Sequence, residues 1–208
     1  RAWDLLGSID LDQHDWSNGR KRFVKVMGLD SLDVNICFTP SGTDAETLIS
    51  HVLCQYTDDD IENLVVAPTE IGSGSVLAAA GLRFDELAPD GSIGQKGDVL
   101  IPRINNRIRV SNIDIRSQEG VLLNKDVIIA KCHSKIFQAI EEGREVAIHL
   151  VAGSKTSVHA PSRTYVEQMQ ELVGDKLHVV VDAAQGRFSR SGVRTCLERD
   201  WIVMTTGS

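Results

Sequence analysis

Cysteine is sparse and unpatterned: Cys37, Cys54, Cys132 and Cys196 are scattered over 208 residues, and no C-x-x-C occurs. The six histidines show no ligand spacing with them. A disulfide framework or a structural zinc site is therefore excluded as the organising device. Cys132 and His133 are adjacent, and adjacent helical residues do not face each other, so both read as packing residues. No apolar run approaches the ~18 residues that a membrane helix needs. There is no basic stripe either. The chain holds 22 basic against 29 acidic residues, a formal net charge of −7, which argues against a nucleic-acid backbone as partner. The densest basic stretches, Arg20-Lys21-Arg22 and Arg187 to Arg194, are short and read as solvated faces. Internal repeats and low-complexity tracts are absent. No signal-peptide pattern is read near Arg1, and a cytoplasmic home is expected.

What is present is ordinary globular material, with 42% hydrophobic and 25% charged residues. A chain of this length can bury a core without staples. Short β-branched runs alternate with helical patterns. Strands are expected at 34–39, 64–68, 146–152, 178–183 and 200–205. Helices are expected at 43–56, around 75–81, at 134–142 and at 163–173. Leu48, Ile49, Val52 and Leu53 give the first of these helices its apolar spacing. Such alternation implies crossover units and a mostly parallel sheet covered by helices on both faces, an α/β, three-layer architecture. Residues 83–130 hold most of the turn signals. Ile104, Ile108, Val110, Ile113 and Ile115 alternate there, so an antiparallel β-rich insertion is expected.

Three segments carry candidate chemistry. Pro40-Ser41-Gly42-Thr43-Asp44 lies between a strand and a helix. Free N–H groups at the helix start, a small Gly42 and the hydroxyls of Ser41 and Thr43 suit a phosphate; plain N-capping suits the same residues. Asp182 follows three valines at the end of a strand, the edge where ligands bind in open α/β sheets. A buried Asp there needs a partner, and a protonated pyridine nitrogen, a metal or a helix N-terminus would each serve. The run from Ile202 ends in Thr205-Thr206-Gly207-Ser208, small hydroxyl residues that can also contact phosphate.

Together these segments resemble fold-type-I pyridoxal-phosphate (PLP) enzymes, in the class V aminotransferase and cysteine desulfurase branch. The resemblance spans about residues 36–208. It implies an N-terminal segment over 1–33 and a cofactor-binding large domain over 34–208, followed by a small domain beyond. Ser41-Gly42-Thr43 resembles the family's phosphate turn. Val181-Asp182-Ala183-Ala184-Gln185 matches the desulfurase V-D-A-A-Q. By that likeness Asp182 pairs with the pyridine nitrogen and Gln185 bonds the ring hydroxyl. Thr206 and Ser208 resemble the run before the Schiff-base lysine, which the family places immediately after Ser208. Gly153-Ser154-Lys155-Thr156-Ser157 resembles the family's G-E-T-S segment and would bring Ser157 or Thr156 near the ring hydroxyl, with Lys155 where the family has an acid.

Thr69-Glu70-Ile71 resembles the desulfurase T-E-H, with Ile71 in place of the ring-stacking His. An isoleucine packs on a ring but moves no proton. The resemblance therefore implies an enzyme acting on an amino acid, and possibly a 2-oxo acid, through an aldimine. Transamination is preferred to lyase or desulfurase chemistry. A homodimer is implied, with neither nucleic acid nor membrane as partner and no metal. Arg187, Arg190 and Arg194 are further candidates for substrate or cross-subunit phosphate contacts, against a solvated helix face. Two rival readings remain: a nucleotide-binding oxidoreductase, from the partial fingerprint Gly72-Ser73-Gly74, and a non-catalytic binding module.

Overall fold

The computed structural model describes residues 16–87, 91–184, 186 and 188–205. Its centre is a mostly parallel sheet. In chain order the strands are β1 (Ile61–Val66), β2 (Ile108–Ile113), β3 (Glu145–Ala152), the two-residue β4 (His159–Ala160), β5 (Leu177–Ala183) and β6 (Ile202–Thr205). The order across the sheet is β2-β1-β3-β5-β6, with β4 antiparallel to β3 and every other pairing parallel.

The helices are α1 (Trp16–Met27), α2 (Gly42–Tyr56), α3 (Ser75–Ala79), α4 (Pro102–Asn105), α5 (Lys125–Glu141), α6 (Arg163–Val173) and α7 (Arg190–Leu197). Two apolar clusters show which faces α2, α4, α5, α6 and α7 cover. Val179 and Val181 of β5 pack with Ile128, Cys132 and Ile136 of α5, Val166 and Met169 of α6, and Cys196 of α7. Ala147 and Val180 point the other way, onto Ile49 and Leu53 of α2 and Ile104 of α4. The sheet is thus sandwiched, as its continuous apolar strands require. Among the described residues, no helix is long and apolar enough to cross a membrane.

Several expectations need correction. Residues 34–39 form no strand and enter no ladder. The buried stripe of α2 is Glu46, Ile49, Ser50, Leu53 and Cys54, whereas Val52 is 47% exposed. The 83–130 segment is not an antiparallel insertion. It holds α4, the parallel edge strand β2 and the start of α5, with antiparallel pairing among the described residues limited to the isolated bridges Leu82–Val99, Leu87–Ile93 and Arg116–Leu122. The alternation misled because β2 lies at the sheet edge, with its middle residues half covered or exposed. An edge strand alternates whichever way its neighbour runs.

The path from β1 to β2 passes α3 and α4 on the α2 face, and the return to β3 passes α5 on the opposite face. Strand order therefore reverses between β1 and β3. Beyond the carboxyl ends of those strands an open α/β sheet leaves a crevice.

Candidate functional site

A cleft of about 250 Å³ lies at that reversal. Its walls are Gly42 and Thr43 of α2, Glu70, Ile71, Gly72 and Ser75 after β1, Val151, Gly153, Ser154 and Lys155 at and after the end of β3, and Asp182, Ala184 and Met204 at the ends of β5 and β6. A second hollow of about 390 Å³, reached past Cys37, Phe38 and Ser41, shares Gly42, Ala184 and Met204 with it. A Cβ built on Gly42 would come within 3.9 Å of the Ala184 Cβ, so the absence of a side chain keeps that shared throat open.

Asp182 reaches the cleft because β5 ends there. It is opposite Val151 of β3 and Met204 of β6. It lies two residues beyond Val180 and so on the same face, toward α2. Its side chain is half-buried, and among the described residues its Oδ1 accepts one hydrogen bond, from the Ala184 amide at 3.0 Å. Burial raises the pKa of this carboxyl, and the Ala184 amide opposes that shift. A carboxyl so placed favours a cationic partner.

The N-terminus of α2 is built by Ser41. Its Oγ accepts from the Asp44 amide at 3.1 Å, so the capping expected of this motif is realised. The first amides of the helix, at Gly42 and Thr43, have no carbonyl one turn back to bond and border the cleft. Capping and anion binding use different atoms of the same turn.

Two loops form the third wall. Glu70 is 5% exposed, and its carboxylate ties them together. It accepts from Arg116 Nε at 2.9 Å, Ser154 Oγ at 2.9 Å, Thr156 Oγ1 at 2.9 Å and the Thr156 amide at 3.2 Å. Burial works against its charge, but the bonds from Thr156, Arg116 and Ser154 prevail and hold its pKa at about 2. Lys155 Nζ donates to the Ile71 carbonyl at 2.6 Å, clamping the same loops from the other side. Ile71, 7% exposed, fills the wall between them.

The structure thus brings Gly42, Thr43, Ile71 and Asp182 to one cleft, with Ser41 at its outer mouth. Ser157 does not line it. That residue is exposed in a turn, with φ 63° and its amide bonded to the Ser154 carbonyl at 2.9 Å; Ser154 holds the wall position. Gln185, Thr206 and Ser208 lie outside the described residues, as does Arg187. Arg190 is exposed at the start of α7, and Arg194 is engaged elsewhere, with the Gly28 carbonyl at 2.8 Å and Ser31 Oγ at 2.7 Å. Gly74 has a packing reason. A Cβ there would sit 2.8 Å from the Phe84 Cβ and 3.1 Å from Thr43 Cγ2. It makes room for the protein itself, and the α3 that follows spans only five residues.

Sequence reasoning missed the polar layer beneath the cleft. Glu46 of α2 and His149 of β3 are each 2% exposed, with Glu46 Oε1 3.2 Å from His149 Nε2. Burial, and then the charge of Asp182, push Glu46 well above the usual carboxylate range. Burial lowers His149 to about 4. A glutamate on the apolar stripe of α2 was the available signal.

No family model and no curated protein matches the chain.

Proposed function

We propose that this chain is the cofactor-binding domain of a PLP-dependent enzyme acting on an amino-acid substrate, with transfer of the amino group as its reaction. The observation that carries the reading is Asp182, a half-buried carboxyl with one backbone partner among the described residues, facing a cleft at the reversal point of the sheet. The residues present fit the group. Among the described residues Asp182 has no cationic partner, and a pyridinium nitrogen would supply one. The amides of Gly42 and Thr43, with the Thr43 hydroxyl, suit the phosphate. Ile71, Ala184 and Met204 offer apolar surface to the ring.

When bound, PLP supplies an electron sink for a carbanion at the substrate's Cα. Asp182 keeps the ring nitrogen protonated. The start of α2 anchors the ligand, and Ile71 excludes water from the ring face. Because Ile71 carries no titratable proton, the reading favours transamination over the proton transfers of a desulfurase. The resemblance also makes a homodimer the expected working form.

The test is a titration of the 208-residue chain with PLP and with pyridoxine phosphate, read by equilibrium dialysis. Both are expected to bind, and Asp182→Asn is expected to weaken them about tenfold or more, because an amide no longer pairs with a charged nitrogen. Tight binding of NAD with none of either pyridoxine compound would overturn the reading in favour of a nucleotide site.

A further inference from the structure

Three charged residues line the cleft, and they are in different states. Glu70 is satisfied by Arg116, Ser154 and Thr156. Asp182 faces the space with one amide as its partner among the described residues. Lys155 is the one cation among the described lining residues. Its ammonium carries three protons, and the Ile71 carbonyl at 2.6 Å takes one of them. No described carboxylate forms an ion pair with it. Lys176 shows the contrast, with Asp59 Oδ2 at 2.6 Å and Glu145 Oε1 at 3.6 Å from its ammonium. The Lys155 charge is held at the rim of the cleft by a neutral acceptor and, among the described residues, meets no carboxylate.

That anchor has a consequence for binding. Lysine is ordinarily a flexible point charge, and fixing it costs rotamer entropy. The Ile71 carbonyl fixes part of the chain before any ligand arrives. The cleft is then bipolar, with a carboxyl at the end of β5 and an ammonium on the loop after β3. Two anionic groups could meet the ammonium, a phosphate or a carboxylate. The start of α2 already offers amides to a phosphate. Lys155 instead stands beside Ile71, the residue that would pack on the ring.

Resting on the PLP reading above, we infer that Lys155 is a specificity-determining residue that takes the carboxylate of the amino-acid substrate. It gives this domain a carboxylate site of its own.

The experiment uses two reduced, non-covalent adducts, phosphopyridoxyl-alanine and phosphopyridoxyl-ethylamine, which differ by the carboxylate alone. Binding to the 208-residue chain is measured by isothermal titration. The wild type is expected to prefer the carboxylated adduct by about tenfold, the size of one charge-assisted contact. Lys155→Met is expected to erase that preference, so that the two adducts bind alike. Lys155→Arg should restore most of the preference, which also guards against a folding defect in the Met variant. Equal binding of both adducts by the wild type would overturn the inference and leave the cofactor reading standing. So would an equal loss of both adducts in Lys155→Met, which would assign the ammonium to the phosphate. Failure of the wild type to bind either adduct would sink the cofactor reading itself, and the inference with it.

Discussion

Beneath the cleft, the Asn63 Nδ2 donates to the Ala79 carbonyl at 3.3 Å, which makes its Oδ1 an acceptor. His149 Nε2, 2.8 Å from that oxygen, must therefore carry the ring proton. With its pKa lowered to about 4 by burial, the imidazole is neutral around pH 7 and has no second proton to give. Glu46 Oε1 lies near the same nitrogen but without a hydrogen bond. The folded state consequently favours Glu46 in its neutral form. A folded pKa above the unfolded value means that the folded state binds the proton more tightly. Stability is lost as pH rises above the unfolded value of about 4.3, until the folded group has itself ionised. His149 acts with the opposite slope, losing stability as pH falls from about 6.5 toward 4. Glu46→Gln keeps the shape of the neutral acid and removes only the ionisation. Its melting temperature should equal that of the wild type near pH 4 and exceed it by a margin that grows toward pH 8. A margin that stays constant across that range would mean that Glu46 is charged in the fold.

At the scale of elements, the two loops that wall the cleft depend on one carboxylate. Glu70 has a folded pKa of about 2 against an unfolded value near 4.3, which amounts to about 3 kcal/mol of stabilisation at neutral pH. Because the folded value is the lower one, this contribution is present above about pH 4 and disappears as pH falls toward 2. Glu70→Gln should lower the unfolding free energy by roughly that amount at pH 7 and by little at pH 2, measured by urea denaturation. The sequence made some of this architecture legible and hid the rest for identifiable reasons. β3 and β5 were read within one residue of their observed ends, because strands buried on both faces are continuous apolar runs. β2 misled because an edge strand alternates. Residues 34–39 misled for a related reason. Val34 and Ile36 are half-buried and Asn35 and Cys37 exposed, so the alternation is real, but a pattern carries no record of whether a partner strand lies alongside. α5 begins at Lys125, well before the expected start at 134, with Asn124 as its cap and Ile128 and Cys132 on its buried face. The cleft was legible where one motif sets both fold and position, as at Gly42 and Asp182. It was not legible at Glu70, whose partners are 46 and 84 residues away in Arg116 and Ser154. Local sequence does not announce contacts at that separation.

Across the whole molecule, the charge balance sets how an anionic ligand arrives. Inside the cleft the formal charges nearly cancel, Lys155 against Asp182 and Arg116 against Glu70. At longer range the net charge of −7 remains, and it repels a phosphate ester. The amides of α2 act only within the first turn, so they govern how long the ligand stays and contribute little to its approach. The Debye length shrinks from about 30 Å at 0.01 M to about 10 Å at 0.1 M ionic strength. Added salt therefore removes the long-range repulsion before it weakens contacts inside the cleft. The association rate of pyridoxine phosphate should rise severalfold over that range, measured by stopped-flow fluorescence, while pyridoxine, which lacks the phosphate, should show little change. A rate that falls with salt would place a net positive field at the mouth of the cleft, stronger than Lys155 and the start of α2 supply against the charge of the whole chain.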